Sequence, residues 1–136
     1  TTSNVVAERA TLAVDVRVPD LPEAERVDAA VRGYAVRDPR VRVEVAGGLN
    51  RPPMEANAVN APLLERALAL ASAAGWSVEG SVVGGGSDGN FTSALGVPTL
   101  DGLGSVGGGA HTSDEHIRIG ESLDRLGLLA SLLMEA

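Results

Sequence analysis

The sequence has no cysteine. Disulfides and thiolate metal sites are therefore excluded, and redox chemistry says nothing of compartment. Aromatic residues are almost as scarce, with one Trp, one Tyr and one Phe. Stacking on bases or sugars is thus not the main mode of recognition to expect. Basic residues are few: Lys and Arg number 11 against 18 Asp and Glu, for a net charge of −7. That disfavours nucleic acid and anionic membrane as partners, because binding either needs clustered cations to displace counterions. No apolar run approaches the ~20 residues of a membrane span, and no signal-peptide pattern opens the chain. A cytoplasmic protein is the expectation, with secretion of an intact parent left open. The opening residues, TTSNVV, carry no Met and enter a strand pattern almost at once, as the middle of a longer chain would.

What is present suits a folded protein. The 136 residues are 44% hydrophobic and 21% charged, a balance that favours folding over disorder. Residues 10–18, ATLAVDVRV, alternate, with Leu12, Val14, Val16 and Val18 on one face and Asp15 and Arg17 on the other. That pattern predicts a half-buried strand. Asp20 as N-cap, Pro22 in the first turn and Glu23 three after the cap predict a helix start. Val27, Ala30, Val31 and Tyr34 form its apolar stripe. Residues 41–45, VRVEV, alternate again. At 47–62, GGLNRPPMEANAVNAP, no period is visible, which marks a connection between two units. Asn60 and Pro62 open a second helix with the stripe Leu64, Ala67, Leu68 and Ala71, stopped by Gly75. Strands are expected at 76–83 and 97–100, a short helix between Ser87 or Asp88 and Gly96, and a last helix from about Glu121 to Glu135. Each half has apolar faces of its own, so two separate hydrophobic clusters are expected, in 1–46 and 63–136.

Ten of the 17 glycines fall between 84 and 109. The densest stretch is VVGGGSDGNF at 82–91. Gly84, Gly86 and Gly89 satisfy the dinucleotide pattern G-x-G-x-x-G. That reading also needs a helix of two to three turns and an acidic residue ~20 positions on to hold a ribose. The helix has room for only about two turns before Gly96, and position 109 is glycine. Two readings remain beside it. The loop is a tight turn, or its N–H groups line a site facing an anionic or polarised group. The loop GGGAHTSDEH at 107–116 holds both histidines, His111 and His116. Their spacing is not the i,i+4 that puts two imidazoles on one helix face. One or two metal ligands at most can come from this loop.

Taken together, NVVAERATLAVDVRV, GGLNRPP, VVGGGSDGNF, VPTLDGLGSVGGGAH and the following EHI resemble, in order, the carboxy-terminal part of the M20 family of zinc metallopeptidases. The glutamate carboxypeptidase and acetylornithine deacetylase-like branch fits best. The resemblance implies an α/β chain made of the end of an α+β lid, or dimerisation, domain (1–49) and the C-terminal part of an α/β catalytic domain (50–136). It implies two zinc ions per intact chain, with His111 as the one ligand here. It implies that Asn4, Arg17, Arg51, Gly85 and Gly86 meet substrate, and that no catalytic residue lies in this chain. The family's H-x-D pair, the aspartate that bridges the metals, the Glu-Glu pair and the lid histidine are missing. In the family all of these belong upstream of Thr1. Ala7 also stands where proline is common.

The function that the resemblance implies is therefore part of a zinc-dependent amidohydrolase or carboxypeptidase, cleaving an amide bond next to a carboxylate-bearing residue. Its substrate would be a small peptide or N-acyl amino acid, and the intact enzyme would be a homodimer through the lid. The fragment alone would be inactive. The competing readings are a small non-enzymatic αβ interaction domain and a nucleotide-binding module.

Overall fold

The computed structural model describes residues 4–134. Helix α1 spans Leu21–Arg32, α2 Ala61–Ala73, α3 Gly89–Ala94 and α4 Ile119–Met134; two-residue strands β1, Gly107–Gly108, and β2, His116–Ile117, pair antiparallel ahead of α4. Glu135, where the last helix was expected to end, lies outside the described residues. The chain is thus a mixed α/β one.

The helices begin and stop for local reasons. The Asp20 carboxylate accepts the Glu23 N–H at 2.8 Å, satisfying one of the first-turn donors that a helix leaves unpaired. Gly75 at φ 78° and Gly96 at φ 77° take the left-handed turn that ends α2 and leads out of α3, a conformation that suits a residue without Cβ. At the first of these turns Trp76 N–H reaches back to Ala71 O at 2.9 Å.

The core lies between α2 and α4. Ala67 and Ala71 of α2 are buried against Leu128 and Leu132 of α4, with Leu63, Leu70, Trp76, Val78, Leu100 and Leu103 packed around them. Small residues on one helix facing leucines on the other let the two axes approach closely. Gly127 matters here, since a Cβ at that position would lie 2.7 Å from the far edge of the Trp76 ring.

The expected second cluster does not form among the described residues. Helix α1 buries no residue, and Leu12, Val14, Val31, Tyr34 and Val43 are exposed. The four expected strands are corrected too: residues 10–18, 41–45, 76–83 and 97–100 join no sheet among the described residues. Alternation fixes which side chains share a face, but a strand also needs a neighbour for its N–H and C=O groups. No described segment supplies one.

Candidate functional site: an arginine corner on the glycine loop

Residues 84–88 lead into α3, and two arginines from distant parts of the sequence close on them. Arg17 Nη1 donates to the Gly84 carbonyl at 2.7 Å. Its guanidinium also lies 3.4 Å from the exposed Asp15 carboxylate. Arg51 reaches the same loop two residues on. A Cβ on Gly86 would sit 2.9 Å from Arg51 Cδ, so the arginine passes where only glycine leaves room. Gly85 is under no such constraint, with nothing within 4 Å of its Cβ position.

Arg51 is held on its other sides as well. Its guanidinium carbon lies 4.9 Å from the centre of the Phe91 ring, within range of a cation–π contact. Asp88 Oδ1 is 3.6 Å from Nη1, but that carboxylate is 99% exposed. The gap is too long for a hydrogen bond, and a pair this open to water is weak. Nη1 is therefore buried with no hydrogen-bond partner. An unpaired buried donor on a charged group is costly. The atom can take an acceptor oxygen.

A buried polar frame fixes the corner's shape. Asn90 donates to Pro52 O at 2.8 Å and accepts from Ser87 N–H at 2.9 Å. It thus ties the residue after Arg51 to the glycine loop. Asn60 repeats the device one layer away. Its side-chain amide donates to Ser93 Oγ at 2.9 Å and to Glu55 O at 3.1 Å, and accepts Thr99 N–H at 2.9 Å. Asn60, Asn90 and Ser93 are all buried. The sequence marked Asn60 as a helix start, but its side chain does not cap α2. The short helix is likewise uncapped by Asp88; Ser87 Oγ instead accepts Gly89 N–H at 3.1 Å. A hydrogen bond from Ser87 and one from the Gly102 N–H hold the Asp101 carboxyl below the ordinary carboxylate range.

His111 is on a different turn. It is the one described non-glycine residue with positive φ, at 66°, a conformation uncommon for a side-chain-bearing residue and one that gathers at functional sites. Its N–H lies 3.4 Å from Glu115 Oε2. Thr112 N–H and Oγ1 both bond Gly109 O, at 3.0 and 2.7 Å, so the turn is tied to itself. His116 Nδ1 meets the Asp114 carbonyl at 2.9 Å. A carbonyl only accepts, so in this contact Nδ1 is the donor. No three His, Asp or Glu side chains among the described residues cluster as a metal site would require. A complete metal centre therefore does not fit these residues.

Of the residues singled out from sequence, Arg17, Arg51 and Gly86 are brought together, with Gly85 on the loop between them. Asn4 is exposed, and no described hydrogen bond or ion pair joins it or His111 to this corner. Phe91, Asn90 and Asn60 were not singled out as functional. Phe91 could have been flagged as the only phenylalanine in so aromatic-poor a chain. The six-residue α3 is shorter than the dinucleotide pattern needs.

The fold and this corner define an α/β chain that presents two guanidinium groups on a glycine loop. Residues 4–135 match the model of peptidase family M20/M25/M40, and the chain belongs to that family. Its members are peptidase-type hydrolases and are generally metal-dependent. No curated protein and no solved structure matches the chain. No helix among the described residues is long and apolar enough to cross a membrane.

Proposed function

We propose that this chain is the substrate-holding end of a zinc-dependent amidohydrolase that cleaves an amide bond next to a carboxylate-bearing residue. The observation that carries the reading is the buried Nη1 of Arg51, which lacks a hydrogen-bond partner, beside a loop to which Arg17 is also bonded. A guanidinium matches a carboxylate in geometry and charge, and such charge-assisted hydrogen bonds are the strong ones. Arg51 would take the substrate carboxylate, and Arg17 would hold the lid segment against the glycine loop. Gly85 would leave the backbone open to the substrate's amide, and Asn4 would contribute from the lid. His111 would provide one zinc ligand from its left-handed turn; the others would come from beyond these residues. The family match supports the peptidase class, and the branch nearest glutamate carboxypeptidases and acetylornithine deacetylases is part of the proposal. So are the division at 49/50 and a homodimer through the lid segment.

The test compares the purified chain with a parent carrying an H-x-D and a Glu-Glu pair. The 136-residue chain should release no amino acid from N-acyl amino acids or dipeptides above background, with or without zinc. The parent should do so, lose activity on chelation, and lose most of it in the His111→Ala variant while keeping its fold. Turnover by the chain alone, or a parent indifferent to chelation, would overturn the reading.

A further inference from the structure

We infer that Phe91 is a positioning residue for Arg51, its ring holding the guanidinium so that Nη1 faces an incoming carboxylate. The inference rests on the reading of Arg51 as the carboxylate holder.

The geometry is specific. The ring centre is 4.9 Å from the guanidinium carbon, so the flat cation rests near a flat π surface. On another side the backbone of Gly86 comes close enough that a Cβ there would be 2.9 Å from Arg51 Cδ. An arginine bounded by a ring and a backbone has lost much of the rotamer freedom it would have in water. What it keeps is a donor, Nη1, that is buried, has no hydrogen-bond partner and faces only the exposed Asp88 carboxylate at 3.6 Å, which an incoming carboxylate would displace. The backbone that carries the ring is itself held. Asn90, the preceding residue, is buried and clamps α3 to Pro52 O and to Ser87 N–H. Pro52 directly follows Arg51. The arginine's backbone and the ring beneath its head group are thus held by adjacent residues through one asparagine. A solvated surface arginine needs none of this. An arginine that must meet a carboxylate without first being ordered gains affinity from it.

The test uses the 136-residue chain, labelled with 15N, and reads the Arg51 Nε–Hε resonance and the backbone amides of residues 84–91 during titration, the amides alone serving for Arg51→Ala. The probes are N-acetylglycine, which carries a carboxylate, and N-acetylglycinamide, which does not. The expected result is a saturable shift with the acid and none with the amide. Phe91→Leu keeps apolar bulk but removes the π face; it should weaken acid binding about two- to fivefold, the size of an exposed cation–π contact. Phe91→Tyr keeps the face. Because the ring is 44% exposed, the added hydroxyl has room, and this variant should bind as the parent chain does. A purely structural role for Phe91 would not follow the presence of a ring in this way. If Phe91→Leu binds the acid as tightly as the unchanged chain while Arg51→Ala loses it, the inference fails and the reading of Arg51 stands. If Arg51→Ala binds the acid unchanged, the reading of Arg51 itself fails.

Discussion

Gly86 and Gly85 are neighbours with opposite demands on them. At Gly86 a Cβ would meet Arg51 Cδ at 2.9 Å, whereas at Gly85 it would meet nothing within 4 Å. Gly86→Ala should therefore displace Arg51 from the loop and from the Phe91 ring. The Arg51 Nε–Hε resonance should move in Gly86→Ala and stay in place in Gly85→Ala; equal shifts in both would mean that Arg51 is not packed on Gly86. Asp101 gives a second prediction at this scale. Hydrogen bonds from Ser87 and Gly102 lower its pKa from the ordinary 3.8. A depressed folded-state value means that the unfolded chain binds the proton more tightly. The stabilisation is then fully present above the unfolded value and fades as pH falls through the folded one. Asp101→Asn should lower stability at pH 5, and the difference should shrink steadily as pH falls below 3.8, in paired urea melts. A difference that does not shrink on acidification would contradict the linkage.

Helix α1 shows what a cap does when packing does little. It buries no residue, so its order depends on its own first turn, on the Glu23–Arg26 and Asp28–Arg32 pairs, and on two bonds to other segments, from Leu21 N–H to Glu55 Oε1 at 3.0 Å and from Arg32 Nη2 to Gly47 O at 2.7 Å. Replacing Asp20 with Ala removes an N-cap contribution of about 1 kcal/mol. Amide exchange in α1 should quicken about fivefold, while α2 and α4 amides, held by the Leu128 core, should not change. Uniform acceleration across all three helices would show instead that α1 unfolds only with the whole chain. The same contrast explains what the sequence made legible. The N-cap at Asp20, the glycine after α2 and the Ala67 and Ala71 positions of the α2 stripe are local signals, and the structure honours each; the stripe's Leu64 and Leu68 are only half-buried, and Leu63 and Leu70 pack on the core beside the alanines. The alternation at 10–18 and 41–45 is also local, but a strand is a relation between two segments. Arg17 and Arg51 could be named through a family resemblance. The frame that holds Arg51 could not, because Asn90 joins Pro52 to Ser87 across dozens of residues and leaves no periodic trace.

At the scale of the whole molecule, surface area is the telling quantity. A compact monomer of this mass exposes about 6,600 Å², whereas this chain exposes 10933 Å². The excess, roughly 4,300 Å², is more than one partner gives up in an obligate dimer, where 2,000–5,000 Å² is shared between two chains. Much of it is apolar: Val6, Leu12, Val14, Val82 and Val83 are each at least 68% exposed. Among the described residues only four hydrophobic ones are buried, Ala67, Ala71, Leu128 and Leu132. Dimerisation alone therefore does not account for the uncovered surface, whereas cover from further segments of a larger enzyme, as proposed above, would. The chain in isolation should behave accordingly. Small-angle scattering should give a radius of gyration above the ~14 Å of a compact domain of this length. The slope of a urea melt should fall at or below about 1 kcal/mol/M, because that slope scales with the surface newly exposed on unfolding. Leu128→Ala, which strips the centre of the small core, should abolish the cooperative transition, since such truncations cost about 2–5 kcal/mol. A radius near 14 Å together with a steep melt would mean that the extended segments find cover within this chain. The case for a missing remainder would then be lost.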